Sequence, residues 1–328
     1  MDKKSEGSSA PKFAILLILL AAASFLLVFF NIVSCGFYSP LGCEIYYSLI
    51  AGGKPKVLIV HGEDGLGDPQ YLYEVLRSPR IGARVSIKDI GIVSVPDLIN
   101  YQLVIVERAR TMSSAQLRMI QDYVNRGGRL VWIGDAGSQA PPEQADSNYF
   151  LVKGERKAGA GAEFIGPWAR KSAGKQLSFD HLLGVQYRAN YCELAGCKAG
   201  ELAGVLDIVK QDSRIVNGIS QSLPVFGDFS IVEIDEDAYQ TALAYTDYGT
   251  NLLATAPSNY FWLRQGNLNF GREFPAIVSS GLGGRVVYYS FPPEFFVSDK
   301  MPVDKATGQR MEYWAMIENL YYGMLYKG

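Results

Sequence analysis

Seven polar residues stand just after apolar runs. His61, Glu63 and Asp64 follow KVLIV (56–60), Glu107, Arg108 and Arg110 follow LVIV (103–106), and Asp135 follows RLVWI (129–133). If the runs are strands of a parallel sheet, these positions lie at its carboxyl edge, where ligands bind in such folds. A histidine among carboxylates can hold a divalent metal or supply a general acid and a general base. His61, Glu63, Glu107 and Asp135 are therefore the candidate catalytic residues. Asp64, Arg108 and Arg110 are candidate ligand contacts, since two guanidinium groups can clamp a carboxylate or a phosphate. The competing reading is that these loop residues face water or pair with one another.

Other chemistries fit less well. The glycine-rich stretch His61–Gly67 (HGEDGLG) lacks the spacing of either phosphate-binding loop, and its two acids would repel phosphate, so nucleotide binding is rejected. No Gly-x-Ser-x-Gly elbow occurs, and a triad would have to recruit one of only two histidines, His61 or His181. His181, beside Leu182-Leu183, reads as a structural histidine on a core-facing segment. Four cysteines form two close pairs, Cys35 with Cys43 and Cys192 with Cys197. Each pair closes a short loop as a disulfide would, although three connectivities are formally open. A metal at Cys192 and Cys197 would need two more soft ligands nearby, and none is expected. No cofactor is implied.

The elements that must position these residues follow a parallel-sheet rhythm. Lys56–Val60, Arg84–Ile87, Leu103–Val106 and Arg129–Ile133 read as strands, with helices around Tyr71–Arg77 and after Ser113. Ser113 and Gln116 have capping-box spacing, Leu117, Ile120 and Val124 form an apolar stripe, and Gly127-Gly128 ends the helix. The expected fold is α/β, a doubly wound, mostly parallel sheet. Ser138–Lys175 reads as an irregular excursion. A β-rich part follows, with strands at Val205–Val209, Phe229–Ile234, Thr241–Tyr245, Ala276–Ser279 and Arg285–Ser290. The last two flank a Gly-rich hairpin turn at Ser280–Gly284. A terminal helix over Glu312–Tyr326 carries an aromatic stripe for core packing.

Composition and charge bound the setting. The chain has 328 residues, 48% hydrophobic and 20% charged, with formal net charge −2, so no general attraction to nucleic acid is implied. Phe13–Val33 runs 21 residues without a charge, long enough at about 1.5 Å per residue to cross about 30 Å of hydrocarbon. Lys3, Lys4 and Lys12 precede it, and no Lys or Arg follows until Lys54. The positive-inside rule then keeps residues 1–12 cytoplasmic and exports the rest. A cleaved signal peptide and a lipobox at Ile32–Cys35 are alternatives, and both also export the domain. Residues 34–55 read as a juxtamembrane tether, and 56–328 as the extracytoplasmic domain. An oxidising exterior suits the cysteine pairs.

The segment Tyr101–Gly134 (YQLVIVERARTMSSAQLRMIQDYVNRGGRLVWIG) resembles the class I glutamine amidotransferase-like superfamily. The likeness is to its non-amidotransferase branch, the ThuA-like proteins and the trimerisation domain of some β-galactosidases. Phe179–Tyr187 (FDHLLGVQY) and Pro275–Phe291 (PAIVSSGLGGRVVYYSF) resemble the same group's downstream pattern. The resemblance covers residues 54–328 and implies the fold more than an activity. True amidotransferases place a nucleophilic cysteine in a Gly-x-Cys-x-Gly elbow, with a downstream His and Glu. Here Gly134-Asp135-Ala136-Gly137 stands at that strand end without a cysteine, and no histidine follows Cys197. Glutaminase chemistry is not expected. Domains of this fold also occur in auxiliary components of gliding-motility-type ABC transport systems. The resulting expectation is a membrane-anchored, non-catalytic envelope module with a protein partner. The alternative is a metal- or carboxylate-dependent hydrolase of envelope glycans or peptides.

Overall fold

The computed structural model describes residues 53–142, 152–153, 163–164, 166–172, 175–197, 201–219, 222–235, 251–257, 263–265, 268–271, 273–281, 284–299, 301–304 and 308–326, with isolated positions between 13 and 26. Among the described residues no helix is long and apolar enough to cross a membrane. Most of the expected span 13–33, the tether, the Cys35–Cys43 pair and the expected strand Thr241–Tyr245 lie outside the described residues.

In chain order, β1 (Lys56–His61), α1 (Pro69–Arg77), β2 (Arg84–Asp89), α2 (Val95–Ile99), β3 (Leu103–Val106), α3 (Ser114–Asn125) and β4 (Arg129–Ile133) form the first half. Then come β5 (Val152–Lys153), β6 (Glu163–Phe164), β7 (Ala169–Ser172), β8 (Lys175–Ser178), α4 (Phe179–Leu183), β9 (Val185–Asn190), α5 (Tyr191–Ala195), β10 (Leu202–Ile208), β11 (Ser222–Phe226) and β12 (Ser230–Ile234). The last are β13 (Asn251–Pro257), β14 (Leu263–Gln265), β15 (Leu268–Gly271), β16 (Glu273–Ser280), β17 (Val286–Tyr289) and α6 (Trp314–Glu318).

One nine-stranded sheet runs β11-β10-β13-β16-β17-β4-β3-β1-β2. Strands β2, β1, β3, β4 and β17 are mutually parallel, in the 2-1-3-4-5 order of a flavodoxin-like sheet. From β17 the sheet continues antiparallel through β16, β13, β10 and β11. The β-rich part is thus the same sheet extended, with the hairpin β16–β17 as its joint.

Why these segments are strands follows from their two-sided burial. In β3 every residue of LVIV is fully buried, alternate side chains entering opposite cores. Leu103 and Ile105 face the core that includes Leu72 and Leu76 of α1 and Met316 and Ile317 of α6. Val104 and Val106 face Leu98 of α2 and Leu117 and Ile120 of α3. Each such side chain contributes roughly 1.5–3 kcal/mol relative to exposure. Helices therefore cover both faces of the parallel half.

The expected capping box is present: Gln116 N donates to Ser113 Oγ at 3.2 Å, and Ser113 N donates to Gln116 Oε1 at 2.7 Å. Three expectations need correction. His181 is exposed, not core-facing, and its Nδ1 lies 3.3 Å from Asp235 Oδ2, because Phe179, Asp180 and Leu183 are the residues of its helical turn that are buried. Part of the supposed irregular excursion is ordered: β7 pairs with β8, and Arg170 is fully buried. Its guanidinium donates to the carbonyls of Pro167, Met112, Gly137 and Gln139, which pins the segment to the chain after β4. Last, the terminal helix is α-helical over α6, widens into a π-turn at Asn319–Gly323 and is α-helical again at Met324 and Leu325. Its aromatic residues pack against the core as expected.

Candidate functional site

The loop 62–68, between β1 and α1, lies across the carboxyl ends of β3 and β4. Its backbone is zipped to the chain after β3: Gly62 N donates to Arg108 O, Arg108 N to Leu66 O and Arg110 N to Asp64 O, at 2.9–3.0 Å. Asp64, itself exposed, accepts from Thr111 N at 3.2 Å and Thr111 Oγ1 at 3.0 Å. Arg108 adopts φ +47, an uncommon conformation for a residue with a side chain. The sharp turn there drops Glu107 into the interior while Arg108 stays exposed.

Beneath the loop are two buried acids. Asp135 is fully buried, and its carboxylate accepts from Leu66 N at 2.8 Å and from Asn190 Nδ2 at 2.9 Å. Arg110 Nε stands 3.5 Å away, and the same guanidinium pairs with Glu193 of α5. Asn190 is oriented in turn by the hydroxyls of Tyr187, at 3.1 Å, and Ser230, at 3.0 Å. Glu107 is also fully buried, but neither of its oxygens has a hydrogen-bond partner among the described residues. Burial pushes its pKa well above the usual carboxylate range, the charges of Glu294 and Asp68 push the same way, and Arg108 opposes them.

Glu294 follows β17 and is also fully buried; its Oε1 accepts from Asp68 N at 2.8 Å. Asp68 caps α1, its side chain accepting from Tyr71 N at 3.1 Å. At Gly67, with φ +116, a Cβ would stand 2.7 Å from Glu107 Oε2, so only glycine lets the loop lie this close.

The structure therefore divides the sequence candidates. Asp135 joins Arg110, Asp64 joins Thr111, and Glu107 joins Glu294 and Asp68. Glu63 is exposed on the loop, and His61 is half-buried with Nδ1 3.0 Å from Gly62 O. No hydrogen bond or ion pair among the described residues links His61, Glu63, Glu107 and Asp135 to one another. Among the described residues no group of three or more His, Cys, Asp or Glu is placed to hold a metal ion.

Sequence reasoning missed Glu294, Asp68 and Asn190. The strand-end rule finds the first when extended to the fifth parallel strand, whose carboxyl end leads into Pro293–Val297. Cys192 and Cys197 are disulfide-bonded across α5, as expected. Cys192 N donates to Asp228 Oδ1 at 2.8 Å, and burial raises the Asp228 carboxyl to about 6.

No family model matches the chain, and no curated protein matches it. Similar solved structures include a ThuA-like protein from Bacteroides uniformis, 15% identical over 75% of this chain and 87% of that one, TM-score 0.47. A GMP synthase protein from Thermoplasma acidophilum is 12% identical over 83% of this chain and 94% of its own, TM-score 0.43. The cold-adapted β-galactosidase from Rahnella sp. R3 is 17% identical over 72% of this chain but only 28% of its own, TM-score 0.44. The fold class stands on the strand order itself.

Proposed function

We propose that the protein is a membrane-anchored, extracytoplasmic module that works by binding, in an envelope or transport assembly, and not by chemistry of its own. The observation that carries the non-catalytic part is the occupied carboxyl edge of the sheet. The loop 62–68 lies on Asp135 and Glu107, and Asp135 is engaged by two hydrogen-bond donors and by the Arg110 guanidinium as an ion pair. A reacting group would have to displace the protein's own backbone to reach them. The turn Gly134-Asp135-Ala136-Gly137 offers no nucleophile there. The uncharged run Phe13–Val33 with its flanking lysines supports anchoring and export, and the Cys192–Cys197 bond agrees with an oxidising compartment.

Two measurements on the full chain test this. Protease added to intact cells should cut near Ser172, and purified protein should turn over none of a panel of ester, glycoside, peptide and phosphate substrates. Complete protection in intact cells would refute export. Hydrolysis that disappears in Glu107→Gln would establish the hydrolase alternative.

A further inference from the structure

Two buried carboxyl groups meet the loop 62–68 at consecutive residues. Gly67 packs directly on the Glu107 carboxyl, and the Asp68 N–H donates to Glu294. Both acids are fully buried at the carboxyl edge of the sheet, after β3 and after β17, two strands that flank β4. For Glu107 the described residues provide no donor at all. Two ionised carboxylates in such a place would repel each other without water to screen them, and one of them then keeps its proton far above the ordinary range. The loop above is the part free to respond. It contains neither helix nor strand, and it is held by backbone bonds to Arg108 and Arg110 and by the Leu66 N–H on Asp135.

We propose that Glu107 and Glu294 form a one-proton carboxyl pair that latches the 62–68 loop over the strand ends, and that losing the proton releases the loop. The charged groups facing the pair are Asp68 from the loop and Arg108 from the end of β3. Tyr71 of α1 adjoins Glu294 and donates its hydroxyl to Val297 O at 2.7 Å; Asp299, Arg310 and Glu312 lie around Tyr71. Asp68 and Glu294 favour the protonated form of Glu107, as burial does, and Arg108 opposes it. In the open loop, water reaches Glu107 and its ordinary acidity returns. The closed form is therefore most favoured below the ordinary carboxylate range. Opening grows as pH rises toward the closed-state pKa of Glu107 and levels off above it.

Hydrogen–deuterium exchange of the full-length protein in detergent tests the latch between about pH 5 and about pH 9, with rates corrected for intrinsic exchange. The peptide spanning the loop should open at least about tenfold more often at the upper pH, the equivalent of one pKa unit. A peptide from β3 should stay protected throughout. Glu107→Gln should hold the loop closed at every pH. Glu294→Gln, which keeps an acceptor for Asp68 N–H, should also flatten the dependence and gives a second reading if Glu107→Gln does not fold. Equal loop protection at both ends of the range in the wild type, or an unchanged slope in the variants, overturns the proposal. The latch does not depend on where the domain resides, so its failure would leave the export reading standing.

Discussion

Asp135 and Glu107 are both fully buried, stand at adjacent strand ends and lie under one loop, yet their surroundings are opposite. Asp135 meets a backbone N–H, an amide and a guanidinium, and the amide is itself fixed by two hydroxyls. Glu107 meets a glycine backbone and a second acid. Burial alone does not decide what a carboxyl group does in a protein; the donors around it do. With donors supplied, Asp135 ties the loop to β9 and to the chain after β3. Without them, Glu107 is stable only while it carries a proton. One loop is thus held by a permanent tie at Leu66 and a conditional one at Gly67 and Asp68.

The largest effect should come from removing the permanent tie. Asp135→Ala leaves Arg110 and Asn190 without their buried acceptor and should cost about 3–5 kcal/mol in denaturant unfolding. A loss under about 1 kcal/mol would show that water replaces the carboxylate and that the two acids differ less than their contacts indicate. Next comes the covalent brace beside the Asp135 side. Cys192→Ser opens the short loop that holds α5, and with it Glu193, and should cost about 2 kcal/mol. The loss should appear under non-reducing conditions only, and a wild-type melting temperature indifferent to reductant would contradict it. Glu107→Gln should act in the opposite direction. Near pH 8 it removes the cost of placing an acid that ionises freely in the unfolded chain in a site that disfavours its charge, and should raise stability by about 1–2 kcal/mol. Below about pH 4, where glutamate is protonated folded or unfolded, the gain should vanish. Equal effects at both pH values would break the contrast.

How far the sequence anticipated this arrangement depends on the kind of signal. Strand β3 and the helix after Ser113 could be placed residue by residue, because LVIV buried on both faces and a Ser–Gln capping box are local patterns with local causes. Glu107, Arg110 and Asp135 could be chosen as candidates because strand ends are readable. Their division between two environments could not, since it depends on Asn190, Asp68 and Glu294, which the fold delivers from distant segments. Arg170 shows the same limit from another side. A charged residue in a Gly- and Ala-rich stretch reads as surface, and only the tertiary fold reveals the four carbonyls that bury it. His181 failed for a related reason: its apolar neighbours in sequence are not its neighbours on the face of a short helical turn.

The smallest effect gives the finest test of burial. Arg110 contacts two carboxylates: Asp135, with its side chain 1% exposed, and Glu193, at 45%. The Arg110–Glu193 pair has the closer contact, so distance alone would rank it the stronger. Solvent reverses that ranking, because an ion pair open to water gains little beyond the hydration it gives up and is screened by salt. Glu193→Gln should therefore cost only about 0.5 kcal/mol, and the difference should disappear in about 1 M salt, where screening falls to about 3 Å. The Asp135→Ala loss should survive the same salt, since its donors are shielded from solvent. If the two variants instead lose similar stability with similar salt dependence, solvent reaches the Asp135 site as freely as it reaches Glu193.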